Sequence, residues 1–109
     1  MVGALAKEYD FDYFFILQPH PAVGRKPLTA EEKAIVSRID PALASIATAF
    51  YGNIALLDRD YEQLSYLGNM FDDEEMQIWI DDVGHITPEG NRLVAQEILA
   101  IIEDHFANK

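Results

Sequence analysis

The feature that most constrains the fold is an uninterrupted apolar run near the N-terminus. The run consists of Tyr13, Phe14, Phe15, Ile16 and Leu17, and prolines at positions 19 and 21 stop it. A strand in which apolar and polar residues do not alternate needs cover on both faces, as in a parallel sheet between layers of helices. We therefore predict a buried strand over residues 13–17.

A helix is predicted next, because Thr29 and Glu32 have the spacing of a capping box. Pro41 is expected to break this helix, with Asp40 capping the second piece, and Gly52 is expected to end it. The apolar residues that recur at steps of three or four along this stretch are Ile35, Ile39, Leu43, Ile46 and Phe50.

Two further elements complete the predicted order. The segment NIALL, residues 53–57, predicts a second buried strand, and Thr87 followed by Pro88 predicts the start of a closing helix. An order of strand, helix, strand and helix is typical of α/β folds with parallel pairing. We therefore predict one α/β domain over residues 1–109, with helices flanking two parallel strands.

Composition excludes several classes of function. The chain has 109 residues, no cysteine and a net charge of −11, from 19 acidic and 8 basic residues. Such a surface repels nucleic acid and anionic membranes. No apolar run approaches the roughly 20 residues of a membrane span, and no basic segment followed by an apolar one marks a secretory leader. We expect a cytoplasmic protein without disulfides or thiolate metal sites.

The chemistry-bearing segment lies just before the closing helix. An aspartate three residues before a histidine, as Asp82 precedes His85, can accept the imidazole Nδ1–H and leave Nε2 as a base. Asp81 is a neighbouring acid, four residues from the same histidine. The spacing alone is equally compatible with a polar loop in which Asp82 and His85 cap nearby backbone groups.

The segment DVGHITPEGN, residues 82–91, resembles the last sequence block of SGNH (GDSL-like) serine hydrolases. The strand exit at Gln18 and Pro19 and the helix start at residues 28–33 are similar to the central part of such domains. The resemblance implies the back half of a flavodoxin-like, doubly wound sheet. It also implies an ester hydrolase in which a serine attacks the acyl carbon, His85 is general base and then general acid, and Asp82 orients His85. It implies no cofactor.

The nucleophile of that family is not in this sequence. Its Gly-Asp-Ser block and the oxyanion-hole Gly and Asn blocks are missing, and no Gly-Asp precedes Ser37, Ser45 or Ser65. These parts of the catalytic machinery act as a unit. We therefore expect the chain alone neither to hydrolyse p-nitrophenyl esters above an imidazole control nor to react with a fluorophosphonate probe.

Other polar residues have simpler interpretations. Gln18 follows the first strand, where α/β folds place ligand-binding loops, and is a candidate substrate contact. His20 follows the same strand and could line the same pocket, but its place between Pro19 and Pro21 favours a solvent-exposed turn. His105 lies near a helix end, where the dipole favours a cation. A divalent-cation site is not expected from the acidic residues ahead of the closing helix, because their spacing does not match a calcium loop, and a solvated acidic loop is the simpler interpretation. These residues are Asp72, Asp73, Glu74 and Glu75, with Asp81 and Asp82.

The predicted first strand also bears on assembly. With one neighbour only, the strand of Tyr13 to Leu17 would leave an edge that no charge or proline protects. We expect a homo-oligomer, most simply a two-fold dimer, formed through this edge or its flanking helices. The alternative to a hydrolase part is accordingly a small non-catalytic α/β assembly module derived from such an enzyme.

Overall fold

A computed structural model describes residues 1–108 and arranges them as four helices and a two-stranded sheet. The elements are α1 (Val2–Tyr9), β1 (Phe15–Leu17), α2 (Ala30–Ser37), α3 (Pro41–Leu57), β2 (Leu64–Tyr66) and α4 (Pro88–Ala107). The two strands run parallel, with Phe15 opposite Leu64 and Leu17 opposite Tyr66. The predicted α/β class with parallel pairing is confirmed.

The first strand is shorter and less buried than its sequence indicates. β1 begins at Phe15, whose N–H donates to the Gln63 carbonyl over 2.8 Å, and it ends at Leu17, whose carbonyl accepts the Leu67 N–H at 2.9 Å. Phe15 is 50% exposed. Burial on both faces is therefore wrong for this residue.

The break between α2 and α3 follows the predicted signals. Thr29 and Glu32 form a complete capping box at the start of α2. The Asp40 carboxylate accepts the Ala42 N–H at 2.8 Å, and Pro41 is the first residue of α3. Proline suits this position because the N–H that it lacks would have no partner within the helix.

The predicted second strand is wrong. Residues 53–57 continue α3, and the strand that pairs with β1 is Leu64–Tyr66. Gly52 does not end the helix, since it lies exposed in its interior with open space around its Cα. A short apolar run fits a helix as well as a strand, and here the preceding alanine-rich turns extend through it.

The buried core lies beside the sheet rather than on it. It contains Ile35 of α2 with Phe71, Ile78 and Trp79, and the Phe71 and Trp79 rings meet edge to face at 6.0 Å. α4 closes the core from the other side, after Thr87 caps it by accepting the Gly90 N–H at 3.1 Å. The partly buried residues around this core are Met70, Ile86, Leu93 and Val94.

One helix remains largely uncovered. α3 has no charged residue in its 17 positions, and Tyr51 is its one buried residue. Leu43, Ile46 and Phe50 are each more than half exposed. The accessible surface of 7541 Å2 exceeds by about 1,400 Å2 that of a typical monomer of this mass. None of the helices in residues 1–108 combines the length and apolar character that crossing a bilayer requires.

The extension of α3 through Gly52 predicts the effect of one substitution. Gly52→Ala should stabilise the chain by about 1 kcal/mol, because alanine restricts the unfolded chain and meets no atom within 4 Å in the helix. Urea unfolding followed by circular dichroism measures the change. Gly24→Ala is the control: φ is +93° at Gly24 and a Cβ there would lie 2.9 Å from the Gly68 carbonyl, so this variant should lose stability. Destabilisation by Gly52→Ala would indicate that the helix ends at residue 52.

Candidate active site

The candidate site is the tip of a closed loop that leads into α4. Its base is formed by the Thr87 N–H, which donates to the Ile78 carbonyl at 2.8 Å, and by the Ile80 N–H, which donates to the His85 carbonyl at 3.1 Å. Gly84 has a φ of +105°, a conformation that favours glycine, and it lets the chain reverse. The loop therefore projects residues 81–85 from a fixed base.

Asp81, rather than Asp82, contacts His85. The Asp81 Oδ1 accepts the N–H groups of Val83 and His85, each at 3.0 Å. Its Oδ2 contacts the His85 Nδ1. The expected pairing of Asp82 with His85 is wrong in this structure, because the loop closes at Ile80 and His85 and so brings the next residue, Asp81, against the histidine.

The contact determines which ring nitrogen faces the carboxylate. An ionised carboxylate only accepts hydrogen bonds, so the His85 Nδ1 carries a proton, and in the neutral ring Nε2 is the acceptor. Slight burial raises the pKa of Asp81, but the hydrogen bonds from the His85 amide, the His85 ring and the Val83 amide outweigh it and lower that pKa below its ordinary value. The His85 side chain is 74% exposed. An accessible base with a fixed tautomer results.

Asp82 turns instead toward an open groove beside this loop. The groove has a volume of about 410 Å3 and an apolar wall from α3. Asp82 and His20 supply its polar groups, and Val83 joins them from the loop tip. This wall consists of Ile39, which precedes α3, and of Leu43, Ile46, Ala47, Phe50 and Tyr51 of α3.

One polar contact joins the strand exit to α3, and a second lies within the exit loop itself. The Tyr51 hydroxyl donates to the Gln18 carbonyl at 2.8 Å. The His20 Nδ1 accepts the Ala22 N–H at 3.0 Å, and burial lowers the pKa of His20. His20 is thus a partly buried, neutral residue of the groove rather than a solvent-exposed turn residue. Gln18 is exposed, and its backbone carbonyl rather than its side chain contacts Tyr51.

The three serines take up other positions. Ser37 donates to the Ala34 carbonyl at 2.7 Å within α2, and Ser45 lies on α3. Ser65 is in β2 and lines a separate pocket with His105, whose Nε2 lies 3.3 Å from the Asp12 carboxylate. Within residues 1–108, none of these serines forms a hydrogen bond with His85.

Two of the acidic residues in this segment, Asp72 and Glu74, accept hydrogen bonds from the backbone. The Asp72 carboxylate accepts the Arg25 N–H at 2.7 Å, and that of Glu74 accepts the Met76 N–H at 3.3 Å. Over the described part of the chain, no group of three or more acidic or histidine side chains is arranged to hold a metal ion.

The sequence did not indicate the role of Glu32, which accepts four hydrogen bonds near the loop. Glu32 is fully buried, and its Oε1 accepts from the Lys26 Nζ at 2.6 Å and from the Thr29 N–H at 3.1 Å. Its Oε2 accepts the N–H groups of Ile78 and Trp79, each at 3.0 Å. Burial raises the pKa of Glu32, but Lys26 and the three amides together lower it below its ordinary value. The capping box predicted only one of these four bonds.

The two neighbouring aspartates predict opposite results on substitution. Asp81→Asn should abolish the downfield His85 Nδ1–H signal and speed exchange of the Val83 and His85 amides, because the amide cannot accept at both carboxylate positions. Asp82→Asn should leave these NMR signals unchanged. In the unmodified chain the loop bonds lower the pKa of Asp81, so the carboxylate is ionised and the bonds are intact above about pH 4. The bonds should be lost as the pH falls through the lowered pKa of Asp81. Loss of the His85 signal in Asp82→Asn alone would contradict the Asp81 pairing.

No model of a protein family, no curated protein and no solved structure matches the chain. What the site can do follows from its own atoms. These are an imidazole fixed at Nδ1, an accessible Nε2 and an adjoining apolar groove.

Proposed function

We propose that this chain is the C-terminal part of an SGNH-type (GDSL-like) serine ester hydrolase and supplies its acid–base pair. The observation that carries the proposal is the contact of Asp81 Oδ2 with His85 Nδ1 on the loop that opens α4. The sequence block at residues 82–91, which resembles the last block of that family, supports it.

In the proposed reaction a serine hydroxyl attacks the acyl carbon of an ester. His85 Nε2 takes the hydroxyl proton and returns it to the leaving alcohol, while Asp81 stabilises the imidazolium formed in between. Asp82 is assigned to the groove rather than to the relay, because it lines that groove together with His20. The apolar wall of α3 suits the hydrocarbon part of an ester, and Gln18 remains a candidate contact at the strand exit.

The serine has to come from residues outside this sequence. A fusion that places the Gly-Asp-Ser, Gly and Asn blocks of an active SGNH esterase ahead of the chain tests the proposal. It should hydrolyse p-nitrophenyl acetate and react with a fluorophosphonate probe, whereas the chain alone should do neither. His85→Gln in the fusion should lower kcat by about 10²–10⁴-fold, because the general base is lost.

His105→Gln is the matched control, since it removes a histidine outside the loop and should leave kcat unchanged. Asp81→Asn should lower kcat more than Asp82→Asn. The proposal would be contradicted by a fusion that circular dichroism shows to be folded but that does not react with the probe. It would also be contradicted by a fusion whose kcat is unchanged by His85→Gln. Labelling of Ser37, Ser45 or Ser65 in the chain alone would assign the nucleophile to this sequence instead.

The second candidate is an assembly module, favoured by the uncovered apolar surface. β1 pairs on one side only within residues 1–108, and α3 exposes an uncharged face. The excess surface of about 1,400 Å2 is larger than the roughly 800 Å2 that each partner buries in a standard interface. A homodimer through the β1 edge or α3 would cover it.

Light scattering coupled to size-exclusion chromatography at micromolar concentration tests this assembly. The expected mass is twice the 12.3 kDa of one chain. If α3 forms the interface, Ile46→Glu on its exposed face should shift the protein toward the monomer. The control is Thr48→Glu, which introduces the same charge at a polar position of the same helix. A stable monomer of the unmodified chain, with protected amides at Ile16 and Leu17, would rule the dimer out.

A further inference from the structure

Glu32 joins three segments that are distant in sequence. Lys26 belongs to the loop that follows β1, Thr29 caps α2, and Ile78 and Trp79 begin the segment that leads to the candidate site. The Lys26 and Glu32 side chains are 5% and 0% exposed. No other carboxylate of residues 1–108 is buried to this degree. An ionised group in such a place is stable only while every donor remains in position.

Two of these donors lie at the base of the loop that carries Asp81 and His85. Ile78 donates its N–H to Glu32, and its carbonyl accepts the Thr87 N–H. The Ile78 side chain is fully buried, and a Cβ added at Gly90 in the first turn of α4 would lie 3.3 Å from it. The base is thus held by the carboxylate on one side and by α4 on the other.

The opposite arm of the same carboxylate holds the strand-exit loop. Lys26 Nζ donates to Glu32 Oε1, and it also donates to the Pro27 carbonyl at 3.0 Å. His20, which belongs to the same loop, lines the groove together with Asp82. One side chain therefore joins the strand-exit loop, which carries His20, to the base of the loop that carries Asp82 and His85, although it contacts neither His85 nor the groove.

We infer that Glu32 is the positioning residue of the site: its buried carboxylate sets where the Asp81–His85 loop stands relative to the strand exit. The inference rests on the proposed function for the catalytic use of His85, and the geometric part can be measured without any activity. A neutral amide of the same shape cannot accept at all four positions, so the loop base should loosen when the charge is removed.

The test compares Glu32→Gln with Glu31→Gln by NMR in the chain itself. Both remove one negative charge from the first turn of α2, but Glu31 is exposed. In Glu32→Gln the Ile78 and Trp79 amides should exchange about 10- to 100-fold faster. The Asp81-bound His85 Nδ1–H signal should also disappear, while α3 amides keep their protection. Glu31→Gln should match the unmodified chain in every signal.

A folded Glu32→Gln variant that keeps the His85 Nδ1–H signal would overturn the inference. If this variant unfolds, hydrogen exchange of the unmodified, folded chain at increasing urea concentrations tests the inference instead. We expect protection of the Ile78 and Trp79 amides and the His85 signal to be lost at the same urea concentration. Survival of the His85 signal after those amides have opened would overturn the inference. Absence of the His85 signal from the unmodified chain is a different result and counts against the proposed function.

Discussion

The rest of the structure depends on one buried carboxylate. Removing Glu32 from water carries an energetic penalty of several kcal/mol, which only a full set of donors offsets. Here one ammonium and three backbone N–H groups provide that set. Because those donors come from the strand-exit loop, the start of α2 and the base of the candidate site, satisfying one charge brings all three together. The small apolar core around Ile78 then forms against the same segment.

The two halves of the molecule are stabilised differently. Around Glu32 and Trp79, polar groups are paired and apolar groups are buried. Around β1 and α3, two short strands and an uncharged helix expose Phe15, Leu43 and Phe50. The radius of gyration of 15.7 Å is larger than the roughly 13 Å of a compact chain of this length. The candidate site lies at the boundary, with its loop fixed by the first half and its groove walled by the second.

Signals that act within one turn of the chain were readable from the sequence. The capping box at Thr29, the break at Pro41 and the start of α4 at Thr87 depend on bonds between residues two or three apart, and all three are confirmed. The second strand was not readable. Leu64, Ser65 and Tyr66 have no distinctive pattern, and their strand conformation comes from pairing with β1.

The candidate site shows the same limit. The sequence located the loop and the histidine, but the choice between Asp81 and Asp82 depends on which backbone pair closes the loop, and spacing does not reveal that. Glu32 is the sharper case. Its bonds to Ile78 and Trp79 span 46 and 47 positions, so no local pattern could indicate them. What the resemblance implies about catalysis remains a proposal for the fusion experiment.

The distribution of charge over the helices has a consequence for how the molecule behaves as salt is added. All of the net charge of −11 lies outside α3. Mutual repulsion between copies is screened over a Debye length that shrinks from about 30 Å at 0.01 M salt to about 10 Å at 0.1 M. The attraction between uncovered apolar faces is not screened in this way. Ionic strength therefore sets the balance between the two, and dilute salt is the condition in which separate chains are kept apart.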